Sequence, residues 1–406
     1  MYEWCRTVPV SRSARSGRQD GSVLVWALFF VSLTTGILIA HSIELSANRR
    51  QLDTRYRRVD LANTIAESGL TDATAYLRRQ AVQPVTAFAP QLDLGADPPV
   101  NETLDPSLGL VREFEVKGNL WGRYEVRSSE AKDISASYGE AAGRVWDVGA
   151  RGYLFERRDA SRPFDEAPNH VISSQTVCTE LRGVPLRLPS TSSILVTFPT
   201  QVEMLGNATV DGRTGPAVGY KKPFGPAPLP IFDVAITGTP IGQPILGLNL
   251  AMDRVVGMRE DRLRNLADVT LTSPNQLRGR VVQDEIVYVP GDLLLDASAL
   301  SLRGRMLLVV GGNLLASANN NSDFRGVMFV KGWATLEGPF AFAGTMIAGG
   351  QIKVGGTADM VRVQSSPLDV SGLQAALARY RISKDRRPGG GGGTYVNWSD
   401  LQSAWR

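Results

Sequence analysis

Between Ser22 and Ile43 the chain carries no Asp, Glu, Lys or Arg. A helix over this run, at about 1.5 Å per residue, is about 33 Å long and matches the hydrocarbon core of a bilayer. Two other readings compete. A buried core helix of this length ordinarily keeps a polar face, and Val23–Phe30 has none. A removable secretory signal has a shorter apolar stretch and a small-residue cleavage site, and Ala40-His41-Ser42 is a poor one. Arg6, Arg12, Arg15 and Arg18 precede the run, while Arg49, Arg50, Arg55, Arg57 and Arg58 follow it. Similar numbers on both sides leave the positive-inside rule silent on orientation. These arginines suit lipid phosphates. Without interleaved aromatics or a binding motif they do not predict a nucleic-acid partner.

The helical pattern continues past the apolar run. Leu52, Tyr56, Val59, Asn63, Ala66, Leu70, Ala73 and Leu77 are spaced 4, 3, 4, 3, 4, 3 and 4 apart, a heptad-like stripe with one polar member. Ala62, Ile65 and Gly69 widen it, and Arg55, Asp60, Glu67, Asp72 and Arg78 stand on the opposite face. Pro84 bounds the helix. One helix is therefore expected from about Ser22 to Arg79. Its first half is apolar all round, and its second half is expected to dock on the domain that follows. Neighbouring subunits are a second use for the same stripe.

Arg18-Gln19-Asp20-Gly21 before Ser22-Val23-Leu24-Val25-Trp26, the apolar run, and Ala66-Glu67-Ser68-Gly69-Leu70 together resemble the N-terminal domain of PilX-like minor pilins. The resemblance covers about residues 15–80. It implies a basic leader cut by a prepilin peptidase between Gly21 and Ser22, and a helix packed through Trp26, Leu52, Tyr56, Val59, Ala66, Leu70, Ala73 and Leu77. It further implies other pilins and minor pilins, the peptidase and the inner membrane as partners. The location it implies is a single-pass inner-membrane protein with a periplasmic domain, or an extracellular pilus tip. Most pilins carry Glu at the fifth mature position, where it pairs with a neighbour's terminal amine inside the membrane; an unpaired charge there is costly. Here that position is Trp26. The absence resembles the K-type minor pseudopilins and implies a subunit at the start or tip of a filament.

Beyond the helix the 406 residues include 41 Gly and 23 Pro, which points to a turn-rich β architecture. After a Pro-rich connection over 80–108, the runs Val111–Val116, Gly122–Arg127, Val145–Phe155 and Val171–Leu181 read as an antiparallel meander. Farther on, four segments share one shape: Val289-Pro290-Gly291-Asp292-Leu293, Val310-Gly311-Gly312-Asn313-Leu314, Val330-Lys331-Gly332-Trp333-Ala334 and Ala348-Gly349-Gly350-Gln351-Ile352. Their shared glycines are 21, 20 and 18 residues apart, the period of a parallel β-solenoid. A corner glycine is expected there for its tolerance of positive φ. Glu203–Val210 has the same shape and reads as an earlier coil, with 211–280 an insertion that holds a short helix near Asp261–Leu266. A β-sandwich of evenly spaced hairpins is the alternative.

The expected fold class is thus α+β: a long transmembrane and amphipathic helix packed on an antiparallel β-meander, followed by a mainly-β domain with a short parallel β-solenoid. The segments are 1–21 leader, 22–80 helix, 81–184 meander, 185–368 repeat domain, and 369–406 a short helix, a Gly-rich linker and a tail bearing Tyr395, Trp398 and Trp405. Catalytic, cofactor and metal residues are not predicted. His41 and His170 are the two histidines, Cys5 and Cys178 the two cysteines, and no metal-ligand spacing or nucleophile motif stands out. Asn319–Asp323 reads as a turn, since one carboxylate is too few for calcium. The expectation is a structural, non-enzymatic minor pilin-like subunit. A membrane-anchored adhesin that takes a surface glycan or cell-surface ligand is the alternative.

Overall fold

The computed structural model describes residues 20–138, 143–221, 235–272, 274–277, 279–296, 301–355 and 360–388. The aromatic tail with Tyr395, Trp398 and Trp405 lies outside them. The chain forms two units, Met1–Leu61 and Ala62–Arg406. The described residues of the first belong to a single α-helix, Asp20–Arg79, and their described side chains from Leu24 to Leu61 are exposed.

In the second unit the rest of that helix, from Ala62 onward, lies on an antiparallel sheet. Gly109–Lys117, Leu120–Arg127, Val145–Glu156 and His170–Arg182 pair as a meander. Each of the four strands falls within two residues of the alternating runs in the sequence. Two short C-terminal strands, Arg381–Ile382 and Arg387–Pro388, return to pair with His170–Arg182. This return is absent from the sequence-based expectation, because two-residue strands carry no periodicity. One face of the sheet meets the helix. The other carries an ion-pair ladder: the buried Glu125 accepts from Arg123 Nε at 2.7 Å and Arg127 at 2.9 Å, and Glu113 joins Arg123 to Arg157.

The remaining strands form a β-solenoid-like stack. Long strands Val282–Val289, Arg303–Val310, Ser322–Val330 and Phe340–Ala348 pair in parallel as rungs, in register apart from a one-residue shift at Asp284 in the first. After each comes a three-residue strand on a second parallel sheet: Leu293–Leu295, Leu314–Ala316, Ala334–Leu336 and Ile352–Val354. The runs Met306–Val310 and Val327–Val330 are apolar without alternation because both faces are buried. Met306, Leu308, Val310, Met328 and Val330 point into the coil interior. Leu307, Val309, Val327 and Phe329 point outward, under Leu263 and Leu266 of the helix Glu260–Leu266 and Leu373 and Leu377 of the helix Pro367–Leu377.

Two expectations about the repeats change. The corner glycines do not use positive φ: Gly291, Gly312, Gly332 and Gly350 all lie outside that region. They are small because stacked corners touch. A Cβ on Gly312 would meet Asp292 Oδ1 at 2.2 Å, and one on Gly332 would meet Asn313 Oδ1 at 2.1 Å. Positive φ occurs instead inside the long strands, at Gly326 (φ 114°) and Gly344 (φ 152°) on adjacent rungs.

Secondly, Glu203–Val210 does form coil strands, but they stack beyond the last repeat, not before the first. Val202–Met204 pairs with Ile352–Val354, Ile194–Val196 pairs with Met346–Ile347, and Ala208–Asp211 pairs with Val361–Gln364. One coil is therefore shared between chain segments far apart in sequence. The presumed insertion continues the stack through Val218–Lys221, Ala235–Thr237 and Gly242–Ile245. The Asn319–Asp323 loop is a turn: Asn319 and Asn321 adopt positive φ, and buried Asn320 donates to the Ser317 and Glu337 carbonyls.

Candidate functional site

The N-terminal helix, Asp20–Arg79, holds the residues expected for processing and helix packing. Its apolar section exposes Leu24, Val25, Leu28, Phe29, Phe30 and Val31, each by more than half. This is a continuous greasy surface that water does not tolerate. Among the described residues it is the one helix long and apolar enough to cross a membrane. Its hydroxyls fit that use. Thr34 donates to the Phe30 carbonyl at 2.9 Å, Thr35 to Val31 at 2.7 Å, Ser42 to Ile39 at 3.0 Å and Ser46 to Ser42 at 2.7 Å. Each of these four hydroxyl hydrogens is satisfied within the helix, which lowers the cost of placing it in hydrocarbon.

Trp26 is 61% exposed and sits in an aromatic cluster, its ring centroid 6.1 Å from Phe29 and 6.3 Å from Phe30. An amphipathic indole near a helix start suits a membrane interface. Gly21 and Ser22 lie in the first turn of the helix; their side-chain surroundings are outside the described residues.

The stripe divides in two. Leu52, Tyr56 and Val59 are exposed by 50, 58 and 37%, contrary to the expectation that the whole stripe docks on the following domain. Ala66, Leu70, Ala73 and Leu77 are buried. The docked part succeeds because both partners are small at the contact. Gly152 faces the helix backbone at Ala62 and Ala66, and Gly69 approaches Ala150 and Tyr124. Beside them Tyr124 donates to Asp72 Oδ2 at 2.8 Å. Burial, and then that carboxylate, raise the Tyr124 hydroxyl far above the usual tyrosine range. Arg78 Nε closes the end of the helix on the Tyr380 carbonyl at 2.6 Å.

No family model, curated protein or solved structure matches this chain.

Sequence reading missed Gly152 and Tyr124 because nothing local marks a strand residue as the floor under a helix. The available signal was indirect. Small residues at 62, 66, 69 and 73 on one face require a close partner, and Gly149 and Gly152 sit in the run Val145–Phe155 of the meander. No three His, Cys, Asp or Glu side chains gather as a metal set among the described residues.

Proposed function

We propose that this protein is a membrane-anchored, minor pilin-like subunit, processed between Gly21 and Ser22, that acts at the start or tip of a pilus or related pseudopilus. The observation that carries the reading is the division of one helix into three uses. An exposed apolar section is long enough for the bilayer, an exposed stripe of Leu52, Tyr56 and Val59 follows, and small residues dock the remainder on a sheet. A plain anchor needs only the first. An exposed apolar stripe between membrane and domain is a surface for neighbouring helices. Trp26 in place of an acidic residue suits a subunit that has no neighbour amine to neutralise. On this reading the protein is held in the inner membrane with its β domains on the periplasmic side, or in a filament drawn from that membrane.

Photo-crosslinking tests the reading. A photoreactive residue at Tyr56 in the full chain, expressed with the producing organism's other helix-anchored pilin-like subunits, is expected to give discrete heterodimers. The same group at the exposed Arg158, on the β domain, is expected to give none. Equal labelling at both positions, or none at Tyr56, contradicts it.

A further inference from the structure

The leading halves of the solenoid strands keep one face in the interior and turn the other outward, as the alternation Ser322 buried, Asp323 exposed, Phe324 buried, Arg325 exposed shows. The register aligns the outward residues in two columns. Arg303, Asp323, Ala341 and Arg362 form the first. Gln283, Arg305, Arg325, Ala343 and Gln364 form the second. Rungs are about 4.8 Å apart. The Ala341/Ala343 rung therefore makes a low floor, with Arg325 one rung to one side and Arg362 one rung to the other.

That floor is the bottom of a cleft of about 380 Å³, walled by Ser366, Leu368 and Asp369 at the start of the C-terminal helix and by Arg213. It continues past Asp323 and Arg325 into a second hollow of about 510 Å³ lined by Gln283, Arg303 and Arg305. The result is one groove along the stacking direction.

Its charge is uneven. Arg305 is held bidentate by Asp284, and Arg325 lies 4.0 Å from Asp369. Asp369 also accepts from the Ser366 hydroxyl at 2.5 Å. Arg213, Arg303 and Arg362 are exposed and form no ion pair among the described residues. Their guanidinium forks match carboxylates bidentately. Gln283, Gln364 and Ser366 supply amides and a hydroxyl that suit neutral hydroxyl groups. Among the described residues no exposed aromatic ring lines the groove; Phe342 contributes from a side chain only 1% exposed. The described lining therefore offers guanidinium and amide groups but no stacking surface for nucleic-acid bases.

We propose that this groove binds a linear acidic polysaccharide. One uronate carboxylate sits over Ala341 and Ala343, within reach of Arg325, Arg362 and Arg213, and neighbouring sugar hydroxyls meet Gln283, Gln364 and Ser366. The proposal stands apart from the membrane-subunit reading, since neither processing nor assembly enters it.

The test uses the full chain in detergent micelles, with oligogalacturonate as probe and a dextran oligosaccharide of equal length as the neutral control. A thymidine oligonucleotide and phosphatidylglycerol vesicles serve as phosphate controls. Binding is expected for oligogalacturonate alone, weakening with salt. Arg325→Gln and Arg362→Gln are each expected to weaken it about tenfold, the loss of one charge-assisted pair. Ala341→Glu is expected to abolish it by placing a carboxylate on the floor. Arg158→Gln, exposed and outside the groove, is expected to leave it unchanged. Unshifted thermal unfolding of these surface variants verifies that they fold. Absence of oligogalacturonate binding, unchanged binding in Arg362→Gln, or an equal response to the oligonucleotide or vesicles overturns the proposal.

Discussion

Gly152 has no side chain at the point where the backbone nitrogen of Ala66 would stand 2.5 Å from its Cβ. The Ala62 carbonyl oxygen would be nearer still, at 2.2 Å. Helix and sheet thus meet backbone to backbone, and the Ala-Glu-Ser-Gly-Leu box lies on this contact. Gly152→Ala forces the two apart. It is expected to cost about 1–3 kcal/mol, read as a lower urea midpoint with faster amide exchange over 62–79. Gly36→Ala, with nothing near its Cβ, is expected to be neutral or stabilising by about 0.5–1 kcal/mol, the ordinary helix preference for Ala. Equal midpoints for the two variants would remove the close-contact explanation.

The solenoid corners allow a similar comparison. A Cβ at Gly312 overlaps Asp292, whereas one at Gly291 meets nothing within 4 Å. Gly291 is the corner of the first of the four repeats, and the earlier rung Val269–Thr270 leaves open space at its Cβ position. Gly312→Ala is expected to lower stability by about 1–3 kcal/mol, and Gly291→Ala to change it by less than about 0.5 kcal/mol. Thermal unfolding of the full chain measures both. A loss at Gly291 as large as that at Gly312 would contradict contact between stacked corners as the reason for glycine.

Glu260 ties the short helix Glu260–Leu266 to the stack. It accepts from Lys331 Nζ at 2.9 Å and from the Tyr288 hydroxyl at 2.8 Å. The Lys331 bond, with Tyr288 in support, holds the Glu260 carboxyl below its ordinary range. Burial, and then Glu260, push the Tyr288 hydroxyl up to about 12. A carboxylate depressed in the folded state adds stability above its unfolded pKa of about 4.3, and that stability is lost as pH falls through the folded value. Amide exchange over 260–266 is therefore expected to accelerate below about pH 4. Glu260→Gln is expected to show weaker protection already at pH 7, with a flatter profile. The carboxylate is 31% exposed, so the effect is expected to stay below about 1 kcal/mol. Superimposable profiles for the two proteins would contradict the tie.

The parts of this architecture that were legible in the sequence are those with a period. The uncharged run, the stripe from Ala66 to Leu77, the four meander strands and the 18–21-residue glycine spacing each repeat along the chain, and each appears as an element. Stack order was not legible. Val202–Met204 lies on Ile352–Val354 because a free strand edge at the last coil accepts any segment of the right shape, and chain order leaves no mark of which one arrives. Leu52, Tyr56 and Val59 share the stripe's spacing with Leu70 yet remain exposed. Periodicity identifies an apolar face but not its partner. The groove arginines, spread from Arg213 to Arg362, become neighbours only through parallel register.

The central claim is that the uncharged run begins a processed, membrane-held subunit. Intact-mass analysis of the protein extracted from membranes of cells with an active prepilin peptidase tests it most directly. The account predicts a mature chain that starts at Ser22, and accumulation of the uncut form when Gly21 is replaced by Glu. A chain that retains Met1 in the presence of the active peptidase contradicts it.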